Sequence, residues 1–302
     1  MTKIFPQSNS LEFTKLLVKC SNGYDLGKIY KTKFANGEIT VVIEESVRNE
    51  GVVIVSQPRS YEDMFELFET IDAARRSSAK EIIGIIPYLP HSRQERREEG
   101  VRTTISARLF ADLLQVSGLD RLITLDVHTT AIEGFYKIPF DNLDPMSLIV
   151  EKIKTLQLQD PVIVSPDLGG MKRAKKYAQA LGFRMAIMDK ERKKANEVDK
   201  MTLIGEVKHS DIIIVDDMID TGGTIIKALE VLEEEGAQDM HVFAAHGLFS
   251  NKAMLRFAAC KQNPKLYTTN TLPYEGINNF DFYSEINVVS EFHKALKKIF
   301  TK

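Results

Sequence analysis

Short runs of aliphatic and β-branched residues alternate with segments of helical periodicity along this chain of 302 residues. Most of these runs contain few polar positions, which is typical of strands that are buried on both faces. Strands that alternate with helices build parallel sheets, because each crossover helix covers one face of the sheet. The sequence therefore predicts the α/β class, with mainly parallel sheets flanked by helices.

The predicted elements form two series that meet at a cluster of turn residues at 142–145. We therefore predict two domains, over residues 1–144 and 145–302. The predicted strands are residues 39–43, 52–55, 82–86 and 122–127 in the first half, and 162–164, 185–188, 212–215 and 242–244 in the second. The predicted helices are residues 64–77, 105–116, 170–181 and 224–235. The segment 267–281 is rich in Asn, Thr and Tyr with weak periodicity, and is interpreted as a loop.

Composition narrows the class of function. The chain is 43% hydrophobic with a formal net charge of −2, which argues against a disordered chain and against a basic surface for nucleic acid. Cys20 and Cys260 stand far apart without a partner at metal or redox spacing. No secretory signal and no apolar run of about 20 residues is evident. We expect a cytoplasmic protein that binds neither membranes nor nucleic acid.

The segment DIIIVDDMIDTGGTIIKAL, residues 211–229, carries the strongest chemical signal. An apolar strand leads into a glycine-rich turn and then a helix, and ligands of open α/β sheets bind where such strands end. Gly222 and Gly223 allow backbone N–H groups to approach an anion closely, and Thr221 and Thr224 add hydroxyl donors. The positive end of the following helix favours a phosphate at the same place.

Carboxylates precede that turn at Asp216, Asp217 and Asp220. They do not suit a phosphate, but Asp216 and Asp217 can accept hydrogen bonds from the hydroxyl groups of a sugar. The segment therefore indicates a sugar-phosphate site. The structural alternative is that the two acids end a strand and cap a helix, with Gly-Gly as a plain turn.

This segment resembles the ribosyl-phosphate-binding loop of the type I phosphoribosyltransferase fold. Further segments, in order along nearly the whole chain, are similar to those of ribose-phosphate pyrophosphokinases. They are FANGE (34–38), SRQERR (92–97), LDVHT (125–129), VSPDLGGMKRAKKYA (164–178) and DKERKKANEV (189–198). The resemblance implies an ATP-side N-terminal domain and a ribose-5-phosphate-binding C-terminal domain. It also implies transfer of the β,γ-pyrophosphoryl group of ATP to the C1 hydroxyl of ribose 5-phosphate, which gives phosphoribosyl pyrophosphate and AMP for nucleotide biosynthesis.

The basic segment DKERKK is a candidate for catalysis. The resemblance implies catalytic roles for Lys190 and Arg192, and contacts of Arg192 with ribose 5-phosphate beside those of residues 216–224 named above. Cations suit phosphoryl transfer, because charge develops on the non-bridging oxygens. Without the resemblance the same segment reads as a solvated charged face, and we assign Lys193 and Lys194 to the surface.

His128 and Asp167 each follow an apolar strand. The resemblance implies that both hold one Mg²⁺, an ion that keeps several waters and bridges substrate phosphates. A lone histidine at a strand end is otherwise a structural residue with satisfied hydrogen bonds.

FANGE offers Phe34 for stacking on a base, with Asn36 and Glu38 able to contact the edge of adenine. The alternative is a simple turn, since Asn-Gly favours hairpins. The resemblance implies ATP contacts at Phe34, Asn36, Gly37, Glu38, Arg93 and Gln94. It further implies that FANGE reaches the ATP of a neighbouring subunit, and hence a homo-oligomer, a hexamer by resemblance.

Two other functions remain open. A nucleobase phosphoribosyltransferase shares the element at 211–229, but is typically a single domain and does not require FANGE or SRQERR. A non-catalytic regulatory homologue of the same fold stays open because Glu98-Glu99-Gly100 is more acidic than the family pattern. The segment after Pro273 also departs from the usual family ending, so we expect altered allosteric regulation by phosphate and ADP.

Overall fold

Two sheets built mainly from parallel strands organise the chain, one in each of two compact units. The computed structural model describes residues 2–97, 99–191, 200–274 and 276–300. The first unit comprises Met1–Asp144, Thr271–Pro273 and Val288–Lys302, and the second comprises Pro145–Asn270 and Tyr274–Asn287.

The first unit contains a parallel sheet and a separate hairpin. Its elements are β1 (Thr2–Pro6), α1 (Leu11–Val18), β2 (Tyr24–Leu26), β3 (Ile29–Lys33), β4 (Ile39–Ile43), β5 (Gly51–Val55), α2 (Tyr61–Arg76), β6 (Glu81–Ile85), α3 (Ser106–Ser117), β7 (Arg121–Leu125), a 3₁₀ helix (Thr130–Phe135) and β8 (Phe140–Leu143). The strand order is β2-β1-β5-β6-β7-β8, and all of these neighbours pair in parallel. β3 and β4 form a two-stranded antiparallel sheet.

Local sequence explains the helices that cover this sheet. Ser60 accepts a hydrogen bond from the Asp63 N–H and the Asp63 side chain accepts one from the Ser60 N–H, a capping box that starts α2. Gly118, at φ 110°, ends α3 in the left-handed region. Leu67 and Leu114 are fully buried between these helices and the sheet. In the described part of the chain, no helix is both long enough and apolar enough to cross a membrane.

The second unit contains a sheet of the order β11-β10-β9-β12-β13-β14-β15. Its elements are α4 (Met146–Lys154), β9 (Val162–Ser165), α5 (Met171–Leu181), β10 (Arg184–Glu191), β11 (Lys200–Ile204), β12 (Ile212–Ile219), α6 (Gly223–Glu234), β13 (Met240–Gly247), α7 (Ala253–Ala258), β14 (Lys265–Thr269), a 3₁₀ helix (Ile277–Asn279) and β15 (Tyr283–Ile286). Only the β10–β11 pair is antiparallel among the described pairs. Alternate residues of the first half of β12 enter separate apolar clusters on the two faces, which is why residues 212–215 are all apolar.

The C-terminal helix α8 (Val289–Phe300) belongs to the first unit. Its buried Phe292 meets Phe13 of α1 edge to face, with ring centroids 5.5 Å apart. The two units divide between Asp144 and Pro145 and residues 288–302 belong to the first, whereas the prediction assigned residues 145–302 to one domain. The apolar side of α8 packs against α1. The order of elements along the sequence does not indicate that the C-terminal helix packs on the first unit.

The predicted α/β class is confirmed, and each predicted strand and helix overlaps an observed one. Two interpretations were wrong. Residues 267–269, interpreted as loop, complete β14, because the buried Thr268 and Thr269 hydroxyls bond the Tyr283 hydroxyl at 2.8 Å and the Ala245 carbonyl at 2.6 Å. β4 does not join a parallel sheet, because the tight turn before it pairs it with β3.

Candidate active site

Oppositely charged groups meet at the carboxyl edge of the second sheet, where β9, β10 and β12 are neighbours. Lys190, on β10, donates from Nζ to Oδ2 of Asp167, just beyond β9, at 2.7 Å. The Gly170 N–H donates to the other carboxylate oxygen at 3.0 Å. Burial acts to raise the pKa of Asp167. The hydrogen bonds from Lys190 and from the Gly170 and Gly169 N–H groups outweigh this effect and hold that pKa below its usual value. Asp167 is therefore ionised and Lys190 is held at this edge.

Asp216 and Asp217 lie within β12 and not after it, since the strand continues to Ile219. The predicted end at Val215 is wrong because β13 offers backbone partners to the same length, with Asp216 opposite Ala244 and Ile219 opposite Gly247. This extension places both acids in the site on a rigid element.

Burial raises the pKa of Asp216 well above its usual range, and the neighbouring charges of Asp217 and Asp167 add to the effect. The Asp217 N–H donates to Oδ1 of Asp216 at 2.9 Å, which partly offsets it. Hydroxyl donors or a hard cation would relieve this crowding of negative charge. Carboxylate oxygens are the donors that Mg²⁺ prefers, so the ionised Asp167, one of the two predicted ligands, fits that ion. The described residues contain no group of three or more His, Cys, Asp or Glu that could hold a metal ion.

The glycine-rich turn opens directly onto α6. Gly222 is the N-cap at φ 74°, and no side chain caps this helix start, all of whose residues are described. The first N–H groups of α6 are therefore not bonded to a capping side chain and can donate to an anion. Thr221 and Thr224 are half-buried beside this helix start.

Arg256, on α7, fixes this turn and was not found by sequence reasoning. Its Nη1 donates to the Thr221 carbonyl at 2.8 Å. The next residue, Phe257, packs its ring against Gly222. No local pattern marks Arg256, since only the folded chain brings α7 to the turn.

In the first unit, predicted ATP and metal residues share the carboxyl edge of the parallel sheet. Arg93 and Gln94 follow β6 and His128 follows β7, which is the adjacent parallel strand, and all three are exposed. The structure therefore brings these three residues to the same edge of this sheet.

FANGE forms the turn between β3 and β4. The Phe34 N–H donates to the Glu38 carbonyl at 2.8 Å, and the Gly37 N–H donates to the Phe34 carbonyl at 2.9 Å. Gly37 lies at φ 92°, and Asn36 Oδ1 accepts from the Glu38 N–H at 3.1 Å. The structural alternative is thus present, and it leaves the Phe34 ring 53% exposed at the hairpin end.

Several predicted residues lie outside the described part of the chain. These are Arg192, predicted to be catalytic, Lys193 and Lys194, predicted to lie at the surface, and Glu98. Their roles stay predictions.

The sheet with acids on a central strand, followed by a glycine turn and an uncapped helix start, lies in the part of the chain that is similar to phosphoribosyl transferase domains. Residues 142–256 match the family model of the phosphoribosyl transferase domain. Residues 2–118 match the model of the N-terminal domain of ribose phosphate pyrophosphokinase.

Whole proteins match over nearly the full chain. A ribose-phosphate pyrophosphokinase from Helicobacter pylori is 37% identical over 301 residues, 99% of this chain and 93% of that protein. One from Campylobacter jejuni is 40% identical over 292 residues, 96% and 94% of the two chains. The crystal structure of phosphoribosylpyrophosphate synthetase from Mycobacterium smegmatis has 34% identity and a TM-score of 0.91, covering 99% of this chain and 98% of that one. The chain belongs to the ribose-phosphate pyrophosphokinase family, which confirms the predicted family.

Proposed function

We propose that this protein transfers the β,γ-pyrophosphoryl group of ATP to the C1 hydroxyl of ribose 5-phosphate, producing phosphoribosyl pyrophosphate and AMP. Family membership over the whole chain supports the reaction. The observation that carries the proposal is the juxtaposition of Lys190, Asp167 and Asp216 at one sheet edge. It supplies a cation for a transferring phosphoryl group beside acceptors for sugar hydroxyls.

Ribose 5-phosphate binds in the second unit. Its phosphate lies at residues 220–224, where the α6 N–H groups and the Thr221 and Thr224 hydroxyls donate to it. Its 2- and 3-hydroxyls donate to Asp216 and Asp217. These hydrogen bonds compensate the charge that the buried pair concentrates.

ATP binds through Arg93 and Gln94 at the phosphates and through Phe34, Asn36, Gly37 and Glu38 at the base. The Phe34 ring is exposed at the end of a hairpin, so it can contact the ATP of another copy of the chain. On the family resemblance we propose a homo-oligomer, a hexamer, in which this hairpin reaches the ATP of a neighbouring copy. The free thiols Cys20 and Cys260 suit work in the reducing cytoplasm.

Catalysis rests on positioning and charge. The C1 hydroxyl oxygen attacks the β-phosphorus in line and its proton passes to water, while the bond from that phosphorus to the α-phosphate oxygen breaks as AMP leaves. Lys190 and Arg192 stabilise the charge on the non-bridging oxygens. His128 and Asp167 are the proposed Mg²⁺ ligands, and the bound ion would neutralise phosphate charge. The mechanism gives each of these residues a role and requires no general base.

The central test is Lys190→Ala, assayed with ATP, ribose 5-phosphate and Mg²⁺ and without any nucleobase. We expect kcat for AMP formation to fall by about 10²–10³, the usual cost of losing one donor to developing charge. Lys175→Ala removes an exposed lysine of α5 and is the matched control, with unchanged turnover expected. Wild-type protein that forms no AMP without a nucleobase would exclude the proposal, and near-wild-type turnover of Lys190→Ala would remove the role of Lys190.

A further inference from the structure

His91 occupies an unusual backbone conformation immediately before Arg93 and Gln94. Its φ of 61° lies in the left-handed region, which costs a residue with a Cβ about 1–2 kcal/mol. Its carbonyl accepts the Gln94 N–H at 2.7 Å and closes a tight turn over residues 91–94. This turn fixes the His91 backbone directly before Arg93 and Gln94.

The ring of His91 lies between aromatic rings of two helices. It stacks on Tyr61, the first residue of α2, at 6.1 Å between centroids and 27° between planes. On α3 it meets Phe110, which is only 3% exposed, at 6.3 Å and 56°. Burial lowers the pKa of His91, so the ring is neutral at neutral pH and suited to this apolar contact.

The far end of the same turn is tied to α3 as well. The Gln94 carbonyl accepts the Ala107 N–H at 3.3 Å, in the first turn of that helix. The turn is therefore fixed by a ring at its start and by a backbone bond at its end. The exposed Arg93 and Gln94 side chains project from between these two anchors.

We propose that His91 is a positioning residue for ATP, whose ring, wedged between Tyr61 and Phe110, sets the direction in which Arg93 and Gln94 meet the nucleotide phosphates. This inference rests on the proposed function, since it assigns those two side chains to ATP. His91 acts through the turn and does not itself touch the substrate.

The test separates the ring from the backbone conformation. His91→Gly permits the same φ but removes the ring, and His91→Phe keeps a ring of similar shape. We expect His91→Gly to raise the Kd of a non-hydrolysable ATP analogue and the KM of ATP by about tenfold, because misplaced phosphate contacts weaken binding. The KM of ribose 5-phosphate should stay within about twofold, and His91→Phe should restore ATP binding to within about twofold.

His209→Gly is the matched control. His209 is also a histidine at φ 61°, but it is exposed in the second unit, where its N–H bonds the Gly236 carbonyl at 2.8 Å. The same substitution there should leave both Michaelis constants unchanged. Tyr61→Ala covers the case in which His91→Gly fails to fold, because Tyr61 is 79% exposed, and we expect a smaller rise of about threefold in the ATP Kd.

The outcomes distinguish the two proposals. Wild-type protein that binds no ATP analogue overturns the proposed function and this inference with it. Wild-type protein that binds the analogue, with His91→Gly or a folded Tyr61→Ala binding it equally well, overturns only the positioning role. Equal losses for ATP and ribose 5-phosphate, together with a lower melting temperature, show a merely structural role and also overturn it.

Discussion

Asp216 has opposite effects on binding and on stability. Its half-buried side chain adjoins that of Asp217, and the Asp167 charge is close enough to raise its pKa further. Hydrogen bonds from the hydroxyl groups of a substrate stabilise these carboxylates. Without a substrate, the repulsion between them lowers the stability of the folded protein. Binding residues held in this way commonly reduce stability.

Asp216→Asn should therefore stabilise the protein while weakening ribose 5-phosphate binding. Because the folded-state pKa of Asp216 is raised, the folded protein keeps a proton that the unfolded chain has lost. The free energy of unfolding then falls as pH rises from about 4 through the raised pKa. Asparagine does not ionise, so the variant should gain at least about 1.4 kcal/mol near pH 9, the equivalent of one pKa unit, and almost nothing near pH 4.

Urea unfolding of both proteins across that pH range checks this expectation. Asp220→Asn is the control, since it changes a carboxylate in the same segment that is not part of the buried pair. A stability difference that does not change with pH would contradict the role given to the Asp216 charge.

Among individual residues, the sequence predicted those that lie in one continuous segment. Asp216, Asp217 and the Gly222 turn follow each other along the chain, so their chemistry could be interpreted together. Arg256 and His91 could not be found in that way. The role of Arg256 depends on a bond to a carbonyl 35 residues earlier, and that of His91 on rings from two other elements.

At the scale of elements, the start of α6 depends on a close contact with α7. A Cβ added at Gly222 would lie 2.6 Å from the Phe257 ring, whereas one added at Gly223 would meet nothing nearer than 3.6 Å. Gly222 also needs its positive φ of 74°. The two neighbouring glycines therefore differ in what they can tolerate.

We expect Gly222→Ala to lower the free energy of unfolding by about 2 kcal/mol or more, from backbone strain and displacement of the Phe257 ring. Gly223→Ala is the matched control and should be neutral or slightly stabilising, because alanine favours a helix start over glycine. Chemical denaturation measures both. Equal effects of the two substitutions would contradict the contact with Phe257.

Helix α8 is bound to the first unit through Phe292, which is fully buried against Phe13. Phe292→Ala should cost about 3–5 kcal/mol of unfolding free energy, as for other large core truncations. Lys298→Ala, on the exposed side of the same helix, should change it by less than about 0.5 kcal/mol. Circular dichroism during urea unfolding compares the two, and a loss below about 1 kcal/mol for Phe292→Ala would show that α8 contributes little to the unit.

Strands with continuous apolar runs, such as β5, β6 and β12, were predictable, because burial on both faces leaves a strong pattern. β14 was hidden by its threonines, whose hydroxyls find partners inside the protein. The pairing of α8 with α1 was hidden because it joins the two ends of the chain. Local periodicity reports neither side-chain hydrogen bonds nor contacts between distant segments, so it could not predict these two features.

At the scale of the whole molecule, the residues proposed for the two substrates fall in different units. The residues proposed for the sugar phosphate belong to the second unit, and Arg93 and Gln94 belong to the first. Each unit has its own sheet and its own apolar clusters. Substitutions should therefore affect the two ligands separately.

We expect ribose 5-phosphate at about 100 times its Kd to stabilise the wild-type protein by about 2.7 kcal/mol. Asp217→Asn should abolish the rise in melting temperature with ribose 5-phosphate and keep the rise with an ATP analogue. Gln94→Ala should show the reverse. Thermal melts with each ligand test this pairing, and loss of both responses in either variant would contradict it.

The return of α8 to the first unit also determines the order in which the chain can fold during its synthesis. Every residue of the second unit precedes α8, so that unit can emerge from the ribosome complete while the first still lacks its last helix. Domains usually complete their folding from the N-terminus onwards, whereas here the second unit can complete its packing before the first. Until α8 arrives, Phe13 of α1 remains without its partner, and this uncovered apolar surface is the part of a nascent chain that a chaperone would protect.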